Sequence, residues 1–174
     1  MRPGRRNALL LAGIGAAAAA AGAIVGALAL QSRTGAAELL AASFPDLEGR
    51  RRQVLDWRGQ VIACNFWATW CAPCREEVPL LVAAKQQYGK RGFEVIGIGI
   101  DNAAKISDFA AIYRVNYPIL ISDSSAVELM RKLGNAAGGL PYTVFLDRTG
   151  SVAHRKIGAL REVELTEILT ALLG

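Results

Sequence analysis

Residues 61–81 give the strongest indication of the fold, with the sequence Val61-Ile-Ala-Cys-Asn-Phe-Trp-Ala-Thr-Trp-Cys-Ala-Pro-Cys-Arg-Glu-Glu-Val-Pro-Leu-Leu81. Its first seven residues are mostly apolar and predict a buried β-strand, and the residues from Cys71 onward predict an α-helix. Cys71 and Cys74 stand where that helix begins. The sequence therefore predicts a reactive pair of side chains at a strand-to-helix turn.

Two cysteines separated by two residues occur in zinc sites, covalent haem attachment sites and redox dithiols. A structural zinc ion needs four ligands, and Cys64 and His154 are the only further Cys and His residues of the sequence. Haem attachment requires His directly after the second cysteine, where this chain has Arg75. The redox dithiol remains, because the N–H groups and dipole of a helix N-terminus stabilise a thiolate.

Length and charge restrict the classes of protein that fit. A chain of 174 residues has room for one domain and an appendage. The formal net charge is +5, of which Arg2, Arg5 and Arg6 contribute three charges, so the rest of the chain carries +2. This balance lacks the basic excess of a nucleic-acid-binding surface. We therefore expect no nucleic-acid partner.

Residues 8–30 carry no charged side chain and follow a basic start, Met-Arg-Pro-Gly-Arg-Arg. A helix of this length reaches about 34 Å, enough to cross a hydrocarbon core of about 30 Å. The segment predicts either a retained inner-membrane anchor or a signal peptide cleaved near Ala27-Leu28-Ala29. In both interpretations the remaining chain is exported, either on a single-pass anchor or as a soluble domain. It is then expected in the periplasm, where disulfides persist. Arg5-Arg6 leaves a twin-arginine route open beside the general one.

The rest of the sequence alternates predicted strands and helices. Residues 31–41 predict a linker or a short helix, and the domain is placed at 42–174, beginning with a short hairpin over residues 44–55. Alternation of strands and helices predicts a layer of parallel strands, and the final strands predict an antiparallel pair. The predicted elements are strands at Val61–Trp67, Phe93–Ile100, Pro118–Ser122, Tyr142–Asp147 and Ser151–Ile157, and helices at Cys71–Tyr88, Asn102–Arg114, Ser125–Leu133 and Glu162–Leu172.

Two separated motifs in this order resemble one known family. Asn65-Phe-Trp-Ala-Thr-Trp-Cys-Ala-Pro-Cys-Arg-Glu-Glu-Val-Pro79 is similar to the active-site segment of membrane-anchored thioredoxin-like proteins of the TlpA/ResA type, and Gly139-Leu-Pro-Tyr-Thr-Val-Phe-Leu-Asp147 resembles their second signature. The resemblance covers about residues 42–174. It implies an α/β thioredoxin fold: a mixed central sheet flanked by helices, with a strand-helix insertion.

The dithiol and its helix supply three candidate catalytic residues. We expect Cys71 to be the exposed nucleophile and Cys74 to resolve the mixed disulfide. Glu77 follows Cys74 by three residues and so shares its helix face. We expect this carboxyl to be buried, which raises its pKa and lets it accept the Cys74 proton. The alternative is a solvated first-turn Glu that favours the helix dipole, a description that suits Glu76 better. The resemblance implies the proton-accepting role for Glu77, because Asn65 stands where ordinary thioredoxins have a buried Asp.

The second motif supplies candidate substrate-binding residues. Pro141 matches the cis-proline of the family, and the resemblance places it against the dithiol. The backbone of Leu140 is then expected to pair with an extended substrate segment. Trp70 is expected at the rim of the active site and Trp67 in the core. Tyr142 departs from the Thr common in the family, which leaves substrate preference open.

No cofactor or metal is expected from this sequence. Cys64 alternates with Asn65 along the strand and is predicted to be an inert buried thiol, with a third redox partner or a soft-metal ligand as alternatives. His154 is predicted to be an ordinary surface or partly buried residue. Gly97-x-Gly99 lies within a strand and lacks the third glycine of a dinucleotide-binding loop.

These features predict an exported thiol:disulfide oxidoreductase that works as a reductase. The resemblance implies apocytochrome c or copper-site assembly factors as partners, and a membrane dithiol protein as electron donor. Two alternatives are a peroxiredoxin-like peroxidase and a copper chaperone of related fold. The peroxidase motif Pro-x-x-x-Thr-x-x-Cys is missing from the sequence, and copper chaperones favour three residues between their cysteines.

Overall fold

A mixed sheet organises the domain in the computed structural model, which describes residues 21–23, 26 and 35–174. Each predicted strand and helix from Val61 onward is present, within a few residues at its ends. In chain order the elements are α1 (35–41), β1 (Ser43–Pro45), β2 (Arg51–Gln53), β3 (Val61–Trp67), α2 (Ala72–Tyr88), β4 (Phe93–Ile100), α3 (Ala103–Ile112), β5 (Ile119–Ser122), α4 (Ala126–Lys132), β6 (Tyr142–Leu146), β7 (Val152–Ile157) and α5 (Glu162–Leu173), with 3-10 turns at Val54–Trp57 and Gly89–Arg91.

Strand β3 lies at the centre of the sheet. Among the described residues the strand order is β5-β4-β3-β6-β7. Strand β3 is parallel to β4 and antiparallel to β6, and β7 is antiparallel to β6. All residues of β3 are buried because helices cover both faces of the sheet. The predicted mixed sheet flanked by helices is therefore confirmed.

The alternation of β3 separates two hydrophobic clusters. Ala63 and Trp67 face the first cluster, to which α2, α3 and α5 contribute. Ile62, Cys64 and Phe66 face the second cluster, to which α1 and α4 contribute. Successive side chains of a strand point to opposite faces. Asn65 therefore lies on the face that the cysteine-bearing helix α2 covers.

Residues 35–41 adopt the short helix that the sequence left open as the alternative to a linker. They form the helix α1, and the side chain of Leu39 is completely buried in the second cluster. The packed body of the domain thus extends to residue 35 at least, instead of beginning at 42. Leu39 and the half-buried Leu40 anchor this helix to the second cluster.

The predicted hairpin and insertion are both present. Strands β1 and β2 pair antiparallel, with Ser43 opposite Gln53. Strand β5 extends the sheet beyond β4, and an isolated bridge joins Asp46 to Leu120 at its outer side. The hairpin therefore lies against the edge of the inserted strand β5. It covers a sheet edge that is otherwise open to pairing with another chain.

The predicted membrane segment at residues 8–30 lies largely outside the described residues. Within the part of the chain that the structure describes, no helix has both the length and the apolar character needed to span a membrane.

Gly97 and Gly99 leave room for large side chains above β4. A Cβ atom at Gly99 would lie 2.8 Å from Cδ1 of Ile106 and 3.3 Å from Cζ2 of Trp67. A Cβ atom at Gly97 would lie 3.0 Å from Nε1 of Trp67. The absence of side chains here lets Trp67 lie flat over the neighbouring strand, where its ring centroid is 4.5 Å from that of Phe109.

We predict that Gly99→Ala lowers the free energy of unfolding by about 1 to 3 kcal/mol, because the added methyl group overpacks the core against Ile106 and Trp67. Denaturant unfolding of the oxidised protein measures the change. Gly139→Ala is the matched control, since a Cβ atom there meets nothing within 4 Å. Equal stability of the two variants would contradict this account of the packing.

Candidate active site

The start of α2 presents the two cysteines in a defined geometry. Cys71 is the N-cap residue, with extended backbone, and its Sγ accepts a hydrogen bond from the Cys74 amide at 3.3 Å. Pro73 fits the first turn because the N–H that proline lacks has no partner within a helix at that point. A disulfide joins Cys71 to Cys74, so this is the oxidised form of the pair.

The two cysteines differ little in exposure. Cys71 is 6% exposed and Cys74 is 1% exposed. Cys71 is the more accessible of the two, but the prediction of an exposed Cys71 is wrong for this oxidised form. Its Sγ faces the helix start, where it is bonded to Cys74 and accepts the Cys74 amide.

Glu77 is buried on the same helix, with 2% of its surface exposed. Its Oε1 accepts a hydrogen bond from Nδ2 of Asn65 at 2.6 Å, and its Oε2 accepts one from the backbone N–H of Leu160 at 2.6 Å. Nδ2 of Asn65 also donates to Oγ1 of Thr143 at 2.9 Å. The carboxyl group is thus held from the central strand on one side and from the loop before α5 on the other.

Burial sets the protonation of this carboxyl. Loss of water raises the pKa of Glu77 from 4.5 to about 7, although the hydrogen bonds from Leu160 and Asn65 oppose this change. The nearby charge of Lys156 lowers the pKa and that of Glu164 raises it. A carboxyl with a pKa near neutrality is able both to take and to give a proton at physiological pH.

The segment before β6 contains the predicted cis-proline. The Leu140–Pro141 peptide bond is cis, and the carbonyl of Pro141 accepts a hydrogen bond from the Gly158 amide at 2.8 Å. Leu140 is half-buried. Tyr142 faces the second cluster, where its hydroxyl donates to the Leu133 carbonyl at 2.6 Å. Tyr142 therefore fills the core on the sheet face opposite Glu77.

The two tryptophans before the cysteines occupy different environments, in agreement with the prediction. Trp67 is 1% exposed in the first cluster, whereas Trp70, directly before Cys71, is 67% exposed. An exposed indole beside a dithiol offers an apolar surface with one polar N–H group to an approaching protein.

Three groups at the site were missed by the sequence reasoning. Thr143 lies within the second motif, but no role was predicted for it. The Leu160 amide lies far from the cysteines in the sequence, and no local pattern marks it. Asp101 follows the end of β4 and accepts a hydrogen bond from the Thr69 hydroxyl, which ties the turn before Cys71 to the neighbouring strand. Asp101 could have been identified from the sequence, because an acidic residue directly after a parallel strand lies at the edge of the sheet where α2 begins.

Cys64 and His154 lie apart from the dithiol. Cys64 is completely buried on the second face, and loss of water raises the pKa of its thiol. His154 is exposed on β7 beside the ring of Phe145. Among the described residues, no group of three or more His, Cys, Asp or Glu side chains is arranged to hold a metal ion.

Comparison with known proteins agrees with this geometry. A family model described as Redoxin matches residues 35–172. Thiol-disulfide oxidoreductase ResA of Geobacillus thermodenitrificans is 30% identical over 128 residues, which span 73% of this chain and 71% of that protein. Thioredoxin-like protein YneN of Bacillus subtilis is 28% identical over 131 residues, covering 73% of this chain and 74% of that protein.

Solved structures agree on the fold. A thiol:disulfide interchange protein of the thioredoxin family from Chlorobium tepidum superposes with a TM-score of 0.66 at 25% identity, over 76% of this chain and 93% of that chain. A DsbF homologue from Corynebacterium diphtheriae gives a TM-score of 0.67 at 22% identity, over 75% of this chain and 83% of that chain.

The sheet, the flanking helices and the paired cysteines define a thiol-disulfide oxidoreductase with a thioredoxin fold. The chain belongs to the Redoxin family, and its relatives confirm the ResA-like character that the two sequence motifs predict.

The raised pKa of Glu77 predicts a pH-dependent stability. The folded protein holds a proton on this carboxyl that the unfolded chain releases above its ordinary pKa of 4.5. The stabilisation is therefore complete below pH 4.5 and is lost as the pH rises through about 7. As the pH rises from 4.5 to 9, we expect the free energy of unfolding of the oxidised wild type to fall by about 2 to 3 kcal/mol more than that of Glu77→Gln.

Urea unfolding of both proteins across this pH range measures the difference. An equal decline in wild type and Glu77→Gln would show that the folded protein does not raise the pKa of this carboxyl.

Proposed function

We propose that this oxidoreductase is an exported reductase in which Cys71 attacks substrate disulfides, Cys74 resolves them and Glu77 carries the Cys74 proton. The observation that carries the proposal is the Glu77 carboxyl, 2% exposed on the helix that begins with the dithiol, with a pKa of about 7. Burial of a carboxyl costs free energy, so the presence of Glu77 beside the dithiol favours a catalytic role over a merely structural one.

The proposed reaction starts from the reduced protein. The Cys71 thiolate attacks one sulfur of the substrate disulfide; that bond breaks, and the released substrate thiolate takes a proton from water. The Glu77 carboxylate then removes the Cys74 proton. The Cys74 thiolate attacks Sγ of Cys71 and expels the second substrate sulfur as a thiolate, which takes a proton from water, and Glu77 releases the Cys74 proton to solvent. Two electrons have passed to the substrate, and the product is the Cys71–Cys74 disulfide.

Substrate contacts are proposed on both sides of the dithiol. Trp70 is exposed directly before Cys71, and Leu140 and Pro141 directly precede β6, the strand next to β3. We assign Trp70 to an apolar contact with the partner protein. We assign the backbone of Leu140 to strand-like pairing with the segment that carries the substrate disulfide.

The proposed partners follow from the resemblance to ResA/TlpA proteins. They are disulfide-containing periplasmic proteins, namely apocytochrome c or copper-site assembly factors, and a membrane dithiol protein that reduces the Cys71–Cys74 disulfide again. Residues 8–30 are proposed to hold the domain on the periplasmic side of the inner membrane, or to be cleaved after export. Their uncharged composition and basic start support either form.

Glu77→Gln is predicted to slow disulfide reduction at pH 7 by about tenfold or more, because Cys74 loses its proton acceptor. In wild type the rate of resolution should rise as the pH passes through about 7 and Glu77 ionises. The variant should lack this rise until Cys74 ionises by itself. Stopped-flow measurement with a protein disulfide over pH 5.5 to 9.5 provides both profiles.

Glu76→Gln is the matched control, because Glu76 is an exposed residue of the same helical turn. Its profile should follow wild type. A Glu77→Gln profile that coincides with the Glu76→Gln profile would remove Glu77 from the mechanism.

Cys74→Ser is predicted to trap partners on Cys71, since the mixed disulfide forms and then lacks its resolving thiol. The full chain is expressed in its host, and the covalent complexes are identified by mass spectrometry, with Cys71→Ser as the control that traps nothing. We expect cytochrome maturation or copper-site proteins. Capture of many unrelated exported proteins would contradict a dedicated reductase.

A further inference from the structure

A row of paired residues leads from Glu77 toward the edge of the sheet. Asn65 on β3 pairs with Thr143 on β6, and Thr143 pairs with Lys156 on β7. Directly opposed residues of neighbouring strands project to the same face of a sheet. Asn65 bonds to both Glu77 and Thr143, so this row lies on the face that α2 covers. Lys156 therefore leaves β7 on the side of the buried carboxyl.

Lys156 does not point freely into water. Its Nζ donates to both carboxylate oxygens of Glu164, at 2.8 and 2.7 Å, and the two side chains are 24% and 20% exposed. Glu164 lies in the first turn of α5. The ion pair thus bridges the end of β7 and the start of α5, and it spans the connecting loop of residues 158–161.

The bridged loop is the one that contacts Glu77. Within it, the Leu160 amide donates to Oε2 of Glu77 at 2.6 Å. The Gly158 amide in the same loop donates to the Pro141 carbonyl at 2.8 Å. The loop of residues 158–161 is therefore hydrogen-bonded to the Glu77 carboxyl and to the segment before β6. The Lys156–Glu164 ion pair joins the two elements that flank this loop.

The charges near the carboxyl come from several elements. Burial is the largest influence on the pKa of Glu77, and among full charges Lys156 lowers it and Glu164 raises it. Burial and the charge of Glu77 both raise the pKa of the Tyr117 phenol, which stays neutral. The titratable and polar groups on the elements around Glu77 are Cys71 and Cys74 on α2, Asn65 on β3, Tyr117 before β5, Thr143 on β6, Lys156 on β7, and Arg161 and Glu164 at the start of α5.

We infer that Lys156 and Glu164 are positioning residues for Glu77. Their ion pair holds two opposite charges beside the loop whose Leu160 amide bonds to the carboxyl, and the two charges balance the electric field there. The role of this balance rests on the proposed function of Glu77 as the proton acceptor. Removal of either charge leaves the other one uncompensated beside the carboxyl, so the two single changes act in opposite directions.

The test is a carboxyl ¹³C NMR titration of Glu77 in the oxidised full chain, with the signal assigned by its loss in Glu77→Gln. Lys156→Met should raise the titration midpoint and Glu164→Gln should lower it, each by about half a pH unit or more. The double variant should return the midpoint close to the wild-type value. Lys132→Met is the matched control, because Lys132 pairs with Glu38 on helices of the opposite face.

The direction of each shift separates this inference from a purely structural role. A pair that merely holds the loop closed moves the midpoint in the same direction in both single variants, and this result would overturn the inference. Midpoints equal to that of Lys132→Met would overturn it as well. Circular dichroism of each variant verifies that the fold is retained, and the remaining single variant, measured against the double variant, keeps the test decisive if one single variant unfolds.

The titration stands apart from the test of the proposed function. It reads the ionisation of Glu77 in the absence of substrate, whereas the pH profile of Glu77→Gln reads its part in catalysis. Opposite shifts with an unaltered Glu77→Gln rate profile would support the pair and reject the proton acceptor. The reverse combination would reject the pair alone.

Discussion

A carboxyl group buried between donors from two distant segments is the interaction on which this site depends. Glu77 receives hydrogen bonds from Asn65 in the central strand and from the Leu160 amide, 83 residues further along the chain. The contact joins the cysteine-bearing helix to the sheet and to the loop before α5. A carboxylate without these donors is too costly to bury, and burial is what brings the pKa of Glu77 to about 7.

The packing around the sheet excludes water from the Glu77 carboxyl. Trp67 and Phe109 fill the first face above Gly97 and Gly99, where a side chain on β4 would collide with them. The second face is closed by α1 and α4, and Cys64 lies there, away from the dithiol. The three cysteines are therefore divided by the sheet into a redox pair and a thiol whose pKa is raised by burial.

Much of this arrangement was predictable from local patterns. The strand-to-helix turn with two cysteines located the site, and the three-residue spacing selected Glu77. The cis bond at Pro141 followed from resemblance. Leu160 and Lys156 were not predictable, because a backbone amide leaves no mark in a sequence and a lysine on an edge strand is ordinary. Their significance arises from strand register and loop closure, which only the folded chain defines.

Proton exchange between Glu77 and Cys74 is best measured by titration of the Cys74 ¹³Cβ signal in the reduced protein. Two groups that share a proton titrate as a coupled pair. We expect the Cys74 signal to show an inflection at the pH where Glu77 ionises, and Glu77→Gln to abolish that inflection. Identical Cys74 titrations in wild type and Glu77→Gln would contradict the account.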